Sequence, residues 1–192
     1  MSESDLPEPL LSEAELSEAE PYEPAPSATE PSTAEPVAPQ PSADGLPVRQ
    51  AGRVITVDPA RRVLLFRYDD PPPKGNHWST PGGGLEQGED YYSAARRELL
   101  EETGWPDVPV SPEKVLVTDQ VQYSEYFHGL VRQYDHYFIG RVPDEARTLG
   151  EVAEMHTSDG IVEHRWWTLE ELDATKENIY PAGLAGLVRR YA

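Results

Sequence analysis

The sequence predicts an α/β fold, α+β by some schemes, in which a mixed sheet is packed between helices. Two patterns carry that expectation. Strand-like and helix-like runs alternate along residues 48–192, and they do so irregularly, with a hairpin among the strands. A purely parallel, doubly wound sheet requires strict alternation, whereas hairpins demand antiparallel pairs. A third observation bounds the domain: the composition changes sharply near residue 45.

Residues 1–45 hold nine Pro, nine Glu and two Asp but no Lys or Arg, so they carry −11 of the chain's net −19. Tyr22 is their only aromatic residue, and Leu-Ser-Glu-Ala-Glu occurs twice in succession at 11–15 and 16–20. Too little apolar surface is present to offset the entropy of ordering. Residues 1–47 are therefore expected to be a disordered acidic tail, with transient helix over 8–20, where Glu, Ala and Leu favour it. Residues 48–192 are expected to form the folded domain.

Within that domain, residues 53–57 and 62–68 are rich in Val, Leu and aromatics, and Asp58-Pro59 between them reads as a turn, which predicts a hairpin. A loop follows over 71–76, then a short strand over 77–80 that leads into Pro81-Gly82-Gly83-Gly84. A helix is expected from about Asp90 to Thr103, with Gly104 ending it. Strands are expected over 115–123, 131–142 and 160–168. A helical turn over 169–174 and a final helix over 181–191, with proline near its start, complete the domain.

Charge and composition exclude several functions. With 35 acidic against 16 basic residues, the chain lacks the cations that displace counterions from a nucleic-acid duplex, and anionic membrane surfaces repel it. No run approaches a spanning helix, and the N-terminus lacks the basic start and apolar stretch of a signal peptide, so a cytoplasmic location is expected. The absence of cysteine excludes disulfides, thiolate catalysis and cysteine metal sites.

The chemistry is concentrated in residues 83–105. Gly83 is followed after five residues by Glu89, after seven more by Arg97-Glu98-Leu99, then by Glu101-Glu102 and Gly104-Trp105. On a helix Glu98, Glu101 and Glu102 stand at i, i+3 and i+4, so three carboxylates share one face. Tyr92, Ala95, Leu99 and Thr103 form a neighbouring stripe suited to burial on a sheet. Like charges at this spacing cost helix stability, and a cation would neutralise them. An oxygen-only donor set favours Mg²⁺ or Mn²⁺. Arg97 is placed to pair with a carboxylate of the motif and fix the helix against the preceding loop.

This pattern resembles the Nudix hydrolase signature, G-x5-E-x7-R-E-U-x-E-E-x-G-U with U a bulky apolar residue, and every defined position is filled. The similarity extends to Trp-Ser-Thr-Pro-Gly-Gly at 78–83 and Trp-Trp-Thr-Leu-Glu-Glu-Leu at 166–172. The resemblance implies an α/β/α sandwich with a mixed, curved sheet and a loop–helix–loop box. It implies divalent-cation-dependent hydrolysis of the pyrophosphate linkage in a nucleoside diphosphate derivative, with Mg²⁺ or Mn²⁺ as cofactor. Glu98, Glu101 and Glu102 would be metal ligands, joined by the backbone carbonyl of Gly82 or Gly83, and Glu98 or Glu101 would also activate water. Gly83, Glu89, Arg97 and Gly104 would be structural parts of the box. Family members are often homodimers.

The resemblance also directs attention to an extra acid across the cleft. Glu151, Glu154, Asp159 and Glu163 are candidates, with Glu154 and Glu163 preferred. Tyr123, 18 residues beyond Trp105, is the candidate for stacking on a nucleobase. The five histidines share no ligand spacing. Two other readings compete with the hydrolase: a catalytically silent nucleotide-binding module with an acidic partner-binding tail, and an acidic cation-binding scaffold. Retention of every box glutamate argues against the first, and the lack of an Asp-rich calcium loop against the second.

Overall fold

The computed structural model describes residues 42–72, 74–124 and 127–192. Most of the expected tail, 1–47, lies outside the described residues. Its last part, 42–47, is described and meets the strand that carries Arg132. Ser42 and Leu46 close a turn, Asp44 pairs with Arg132 at 3.0 Å, and the Pro47 carbonyl accepts the Arg132 N–H at 2.9 Å.

β1 (Val48–Val57) forms the centre of the sheet. It pairs in parallel with β6 (Gly129–Arg141) from Val48↔Arg132 to Val57↔Arg141, and β5 (Leu116–Ser124) extends that side antiparallel to β6. Along its other edge β1 pairs with β4 (Gly82–Gly84) over Ala51–Arg53. It then meets β2 (Val63–Asp69) only at Val57↔Val63. β2 in turn pairs with β3 (Asn76–Ser79) and β7 (Ile161–Trp167), and β8 (Ile179–Tyr180) runs parallel to β3. The mixed sheet therefore has two halves that share one residue pair and part beyond it.

That arrangement corrects the expected hairpin. Its two strands meet at the base alone, because the glycine segment takes the edge of β1 that a hairpin partner would occupy, and the Val54 N–H donates to Pro81 O at 2.9 Å. Gly82–Gly84, for which no strand was expected, is thus a strand.

Alternation along the strands generates the layers. Val54 and Phe138 pack on one face against Ala95 and Leu99 of α1 (Tyr91–Thr103). Ile55, Val57, Tyr137 and Ile139 pack on the other face with Leu184 and Val188 of α4 (Leu184–Tyr191). A strand covered on both sides must be apolar nearly throughout, as 54–57 are. Two short helices, α2 (Ala153–Asp159) and α3 (Leu169–Ala174), flank β7. α3 starts in a capping box in which Thr168 and Glu171 exchange hydrogen bonds. The result is the expected α/β/α arrangement. Among the described residues no helix is long and apolar enough to cross a membrane.

Candidate active site

α1 begins where the Asp90 side chain accepts the Ser93 N–H at 2.7 Å, and ends at Gly104, whose φ of 71° suits a residue without Cβ. The stripe expected to bury does so: Ala95, Leu99 and Thr103 are inside, and Tyr92 packs on Phe138. This fixes the rotation of the helix, and with it the direction of the glutamates.

Arg97 ties the helix to the loop before it. Its guanidinium grips both carboxylate oxygens of Glu89 at 2.9 and 3.0 Å and donates to Gly84 O at 2.8 Å. Its Nη1 donates at 2.9 Å to Glu98 and at 2.9 Å to Glu101. The bonds to Glu89 hold the Arg97 pKa above its ordinary range, and the bond to Glu98 and that carboxylate's charge act the same way.

Glu98 and Glu102, one helical turn apart, open on a cavity of about 400 Å³ between the two halves of the sheet, and Gly82, Gly83 and Gly84 line it beside them. Glu102 is 2% exposed; it accepts the Gly82 N–H at 2.8 Å, and Tyr68 Oη stands 3.4 Å away. Burial pushes its pKa up to about 8, with the charge of Glu98 adding to the effect. Burial also raises Glu98, against the pull of Arg97. Gly83 leaves room for Glu98, since a Cβ there would lie 2.3 Å from the carboxylate.

Glu101 stands apart, bonded to Arg97 and outside the cavity lining. Of the four extra acids, Asp159 at the end of α2 lines the cavity, and its charge raises both Glu98 and Glu102. The preferred pair does not reach it. Glu154 is exposed on α2, and Glu163 faces Arg67 across the β2–β7 pair at 3.3 Å. Tyr123 lies on the cavity wall.

The sequence reading missed the opposite wall. Arg53 lies half-buried within β1 and donates from Nε to Asp135 at 2.9 Å, and from Nη1 to Ser79 Oγ, Thr80 O and Gly82 O at 3.1–3.3 Å. Burial opposes its charge, but Asp135 together with Tyr137 and Tyr68 outweighs that effect, and its pKa is raised. Arg49, four residues earlier on the same strand face, donates to Gln133 at 2.9 Å. Gln133 passes the chain on to Asp135 at 2.7 Å. One signal was available: two arginines at an even spacing in a run that is otherwise strand-like.

Among the described residues no three Asp, Glu or His side chains are closed together tightly enough to hold a metal ion as they stand. The donor chemistry nevertheless fits a hard divalent cation. The carboxyl groups of Glu98, half-buried, and Glu102, buried, share one helix face and disfavour each other's charge, Asp159 adds a third acid, and Gly82 lines the same space. The Gly82 carbonyl already accepts from Arg53 at 3.1 Å and retains a second lone pair.

The family model described as NUDIX domain matches residues 47–186. The chain belongs to the Nudix family. Among curated relatives, the RNA pyrophosphohydrolase of Dinoroseobacter shibae is 47% identical over 73 residues, 38% of this chain and 41% of its own length. That of Caulobacter vibrioides is 31% identical over 141 residues, 67% of this chain and 74% of its own. The chain spans only about two-fifths of the Dinoroseobacter relative and of a Pelagibacter ubique RNA pyrophosphohydrolase, 41% and 42%. Among Nudix folds, a MutT protein from Methanosarcina mazei superposes with a TM-score of 0.55 at 18% identity, covering 76% of this chain and 93% of its own. The E. coli dihydroneopterin triphosphate pyrophosphohydrolase gives 0.53 at 18% identity over 74% and 93%.

Proposed function

We propose that the chain is a divalent-cation-dependent pyrophosphohydrolase acting on a nucleoside diphosphate derivative. The observation that carries this reading is the facing of two walls across one cavity. Glu98 and Glu102 of α1 present carboxyl groups on one wall, and Arg49 and Arg53 of β1 present guanidinium groups on the other. A bound Mg²⁺ or Mn²⁺ would supply positive charge to phosphate oxygens and make a bound water more acidic. Glu98, Glu102 and the Gly82 carbonyl would hold it, with Glu101 brought in from Arg97.

The residues divide the remaining work. Water adds to one phosphorus, the bridging P–O bond breaks, and the second phosphate leaves as the product anion. Glu98 is placed to take the proton from that water, because it reaches the cavity and burial favours its protonated form. Arg49 donates to a terminal phosphate oxygen, since its fork spends one bond on Gln133. Arg53 keeps the glycine strand and β3 in place. The likeness to RNA pyrophosphohydrolases supports including RNA among the derivatives to test.

The test is release of phosphate or pyrophosphate from nucleoside triphosphates, nucleotide sugars, dinucleoside polyphosphates and 5′-triphosphate RNA. Turnover of at least one with Mg²⁺ or Mn²⁺, abolished by EDTA, is expected. Nucleotide binding without turnover of any would identify a silent binding module, and full turnover in EDTA would reject the mechanism.

A further inference from the structure

We propose that Tyr180, standing against His77, is the platform on which the planar base of the nucleotide lies. The proposal rests on the reading of the cavity as a nucleotide site, and it names the part of that site that recognises the base.

Four observations place it. Tyr180 lines the same cavity as Glu98 and Glu102, from the other half of the sheet. Tyr180 is 39% exposed, whereas Ile179 beside it packs against the core. An aromatic residue held open at the wall of a polar cavity offers a face that only another flat, apolar surface can use well. The ring is also pre-ordered. It packs perpendicular to His77 with centroids 5.6 Å apart, and His77 lies parallel to Tyr68 at 5.1 Å. The parallel pairing of Ser79 with Tyr180 fixes the backbone beneath it. Little rotamer entropy is left to lose when a ligand arrives.

The rest of the row suits a neutral stack. His77 is 4% exposed, its Nδ1 lies 3.1 Å from Gly75 O, and burial holds its pKa below the ordinary value. Burial thus disfavours a charge on the ring that Tyr180 packs against. Tyr123 is differently placed: it occupies the end of β5, where it pairs across the strands with Leu130. The alternate residues Gln120 and Gln122 also line the cavity from that strand.

The test compares AMP with ribose 5-phosphate, which lacks only the base, by isothermal titration calorimetry in EDTA. Working without metal or turnover separates this proposal from the hydrolase reading, which activity assays judge. The wild-type chain should bind AMP about 10-fold or more tightly than ribose 5-phosphate, in line with base–aromatic stacking. Tyr180→Ala should bring the two ligands within about twofold, and Tyr180→Phe, which keeps the ring, should retain the preference. Equal binding of the two ligands by the wild-type chain would overturn the proposal. So would a Tyr180→Ala chain with an unchanged melting curve and an unchanged AMP preference. Loss of the preference in Tyr123→Ala, with Tyr180→Ala unaffected, would move the platform to β5 and overturn it as well.

Discussion

The Gly82 N–H donates to Glu102 Oε2 at 2.8 Å, so the glycine strand and the box helix are joined at a carboxylate that water barely reaches. A peptide N–H can satisfy one oxygen of that group, but it cannot replace the hydration of a full charge. Burial consequently dominates, and the group titrates near 8 rather than at its ordinary 4.5.

The consequence for stability has a definite sign. A carboxyl whose pKa is raised on folding contributes stability below 4.5 and loses it as pH rises through about 8, because the unfolded chain releases the proton first. In metal-free buffer, Glu102→Gln should therefore melt increasingly above the wild type as pH goes from about 5 to about 9, by on the order of 5 °C or more at the upper end. Gln keeps an oxygen for Gly82 and presents an amide to Tyr68 Oη. Turnover should fall by on the order of 10²-fold, through loss of a charge that stabilises the transition state. Melting curves that run parallel across this pH range would show that Glu102 is not the titrating group.

Gly83→Ala separates activity from stability. The new Cβ would meet the Glu98 carboxylate at 2.3–2.7 Å, and that carboxylate is the movable end of a side chain rather than backbone. The backbone can therefore stay while Glu98 is pushed from its place. Melting temperature should change by no more than about 3 °C, while turnover drops about 10-fold or more. A variant as active as the wild type would mean that the position of Glu98 is not demanding.

The contrast between these two glycines and the rest of the fold shows what a one-dimensional pattern reveals. The box helix was legible because its cues are local: Asp90 caps it, Gly104 ends it, and the spacing of Ala95, Leu99 and Thr103 sets the buried face. The Gly82–Gly84 strand was not legible, since glycine has little strand propensity and only the edge of β1 makes it one. α2 was missed for a related reason: it buries none of its residues and its N-terminus has no side-chain cap, so no stripe or cap announces it. With α2 unseen, Asp159 at its end could not be ranked above Glu154 and Glu163. The Arg49–Gln133 and Arg53–Asp135 contacts join residues more than 80 apart, through a parallel β1–β6 pairing that no local pattern encodes.

Arg97→Ala should lower stability and turnover together. The side chain makes five hydrogen bonds of 2.8–3.0 Å, four of them to carboxylates and one to Gly84 O. Such charge-assisted bonds are stronger than neutral ones, and with the group partly exposed their loss should cost about 1–3 kcal/mol. Arg97→Lys should rescue little, because an ammonium cannot grip Glu89 through two oxygens while reaching Glu98 and Glu101. Thermal melts and steady-state rates on the three chains decide the matter. Unchanged stability with abolished turnover would assign Arg97 to the chemistry itself.

The Arg53–Asp135 pair lies where the halves of the sheet part, and both groups are largely out of water. Asp135 is 1% exposed and accepts from Arg53, Gln133 and Thr118, while Arg53 spans to β3 and β4 through Ser79, Thr80 and Gly82. Removing one member strands the other. Asp135→Asn should cost about 3–5 kcal/mol, because the guanidinium remains buried without its counter-charge. Arg53→Met should also destabilise, by stranding the carboxylate and freeing the glycine strand from β3. The double variant Asp135→Leu with Arg53→Met should be more stable than Asp135→Asn, since no unpaired charge is left inside. Its turnover should still be low, because Gly82 then loses the Arg53 bond that fixes it beside Glu102. Chemical denaturation of these chains and of the single Asp135→Leu variant, which closes the cycle with Arg53→Met, measures the coupling, and strictly additive losses would show that the two residues act independently.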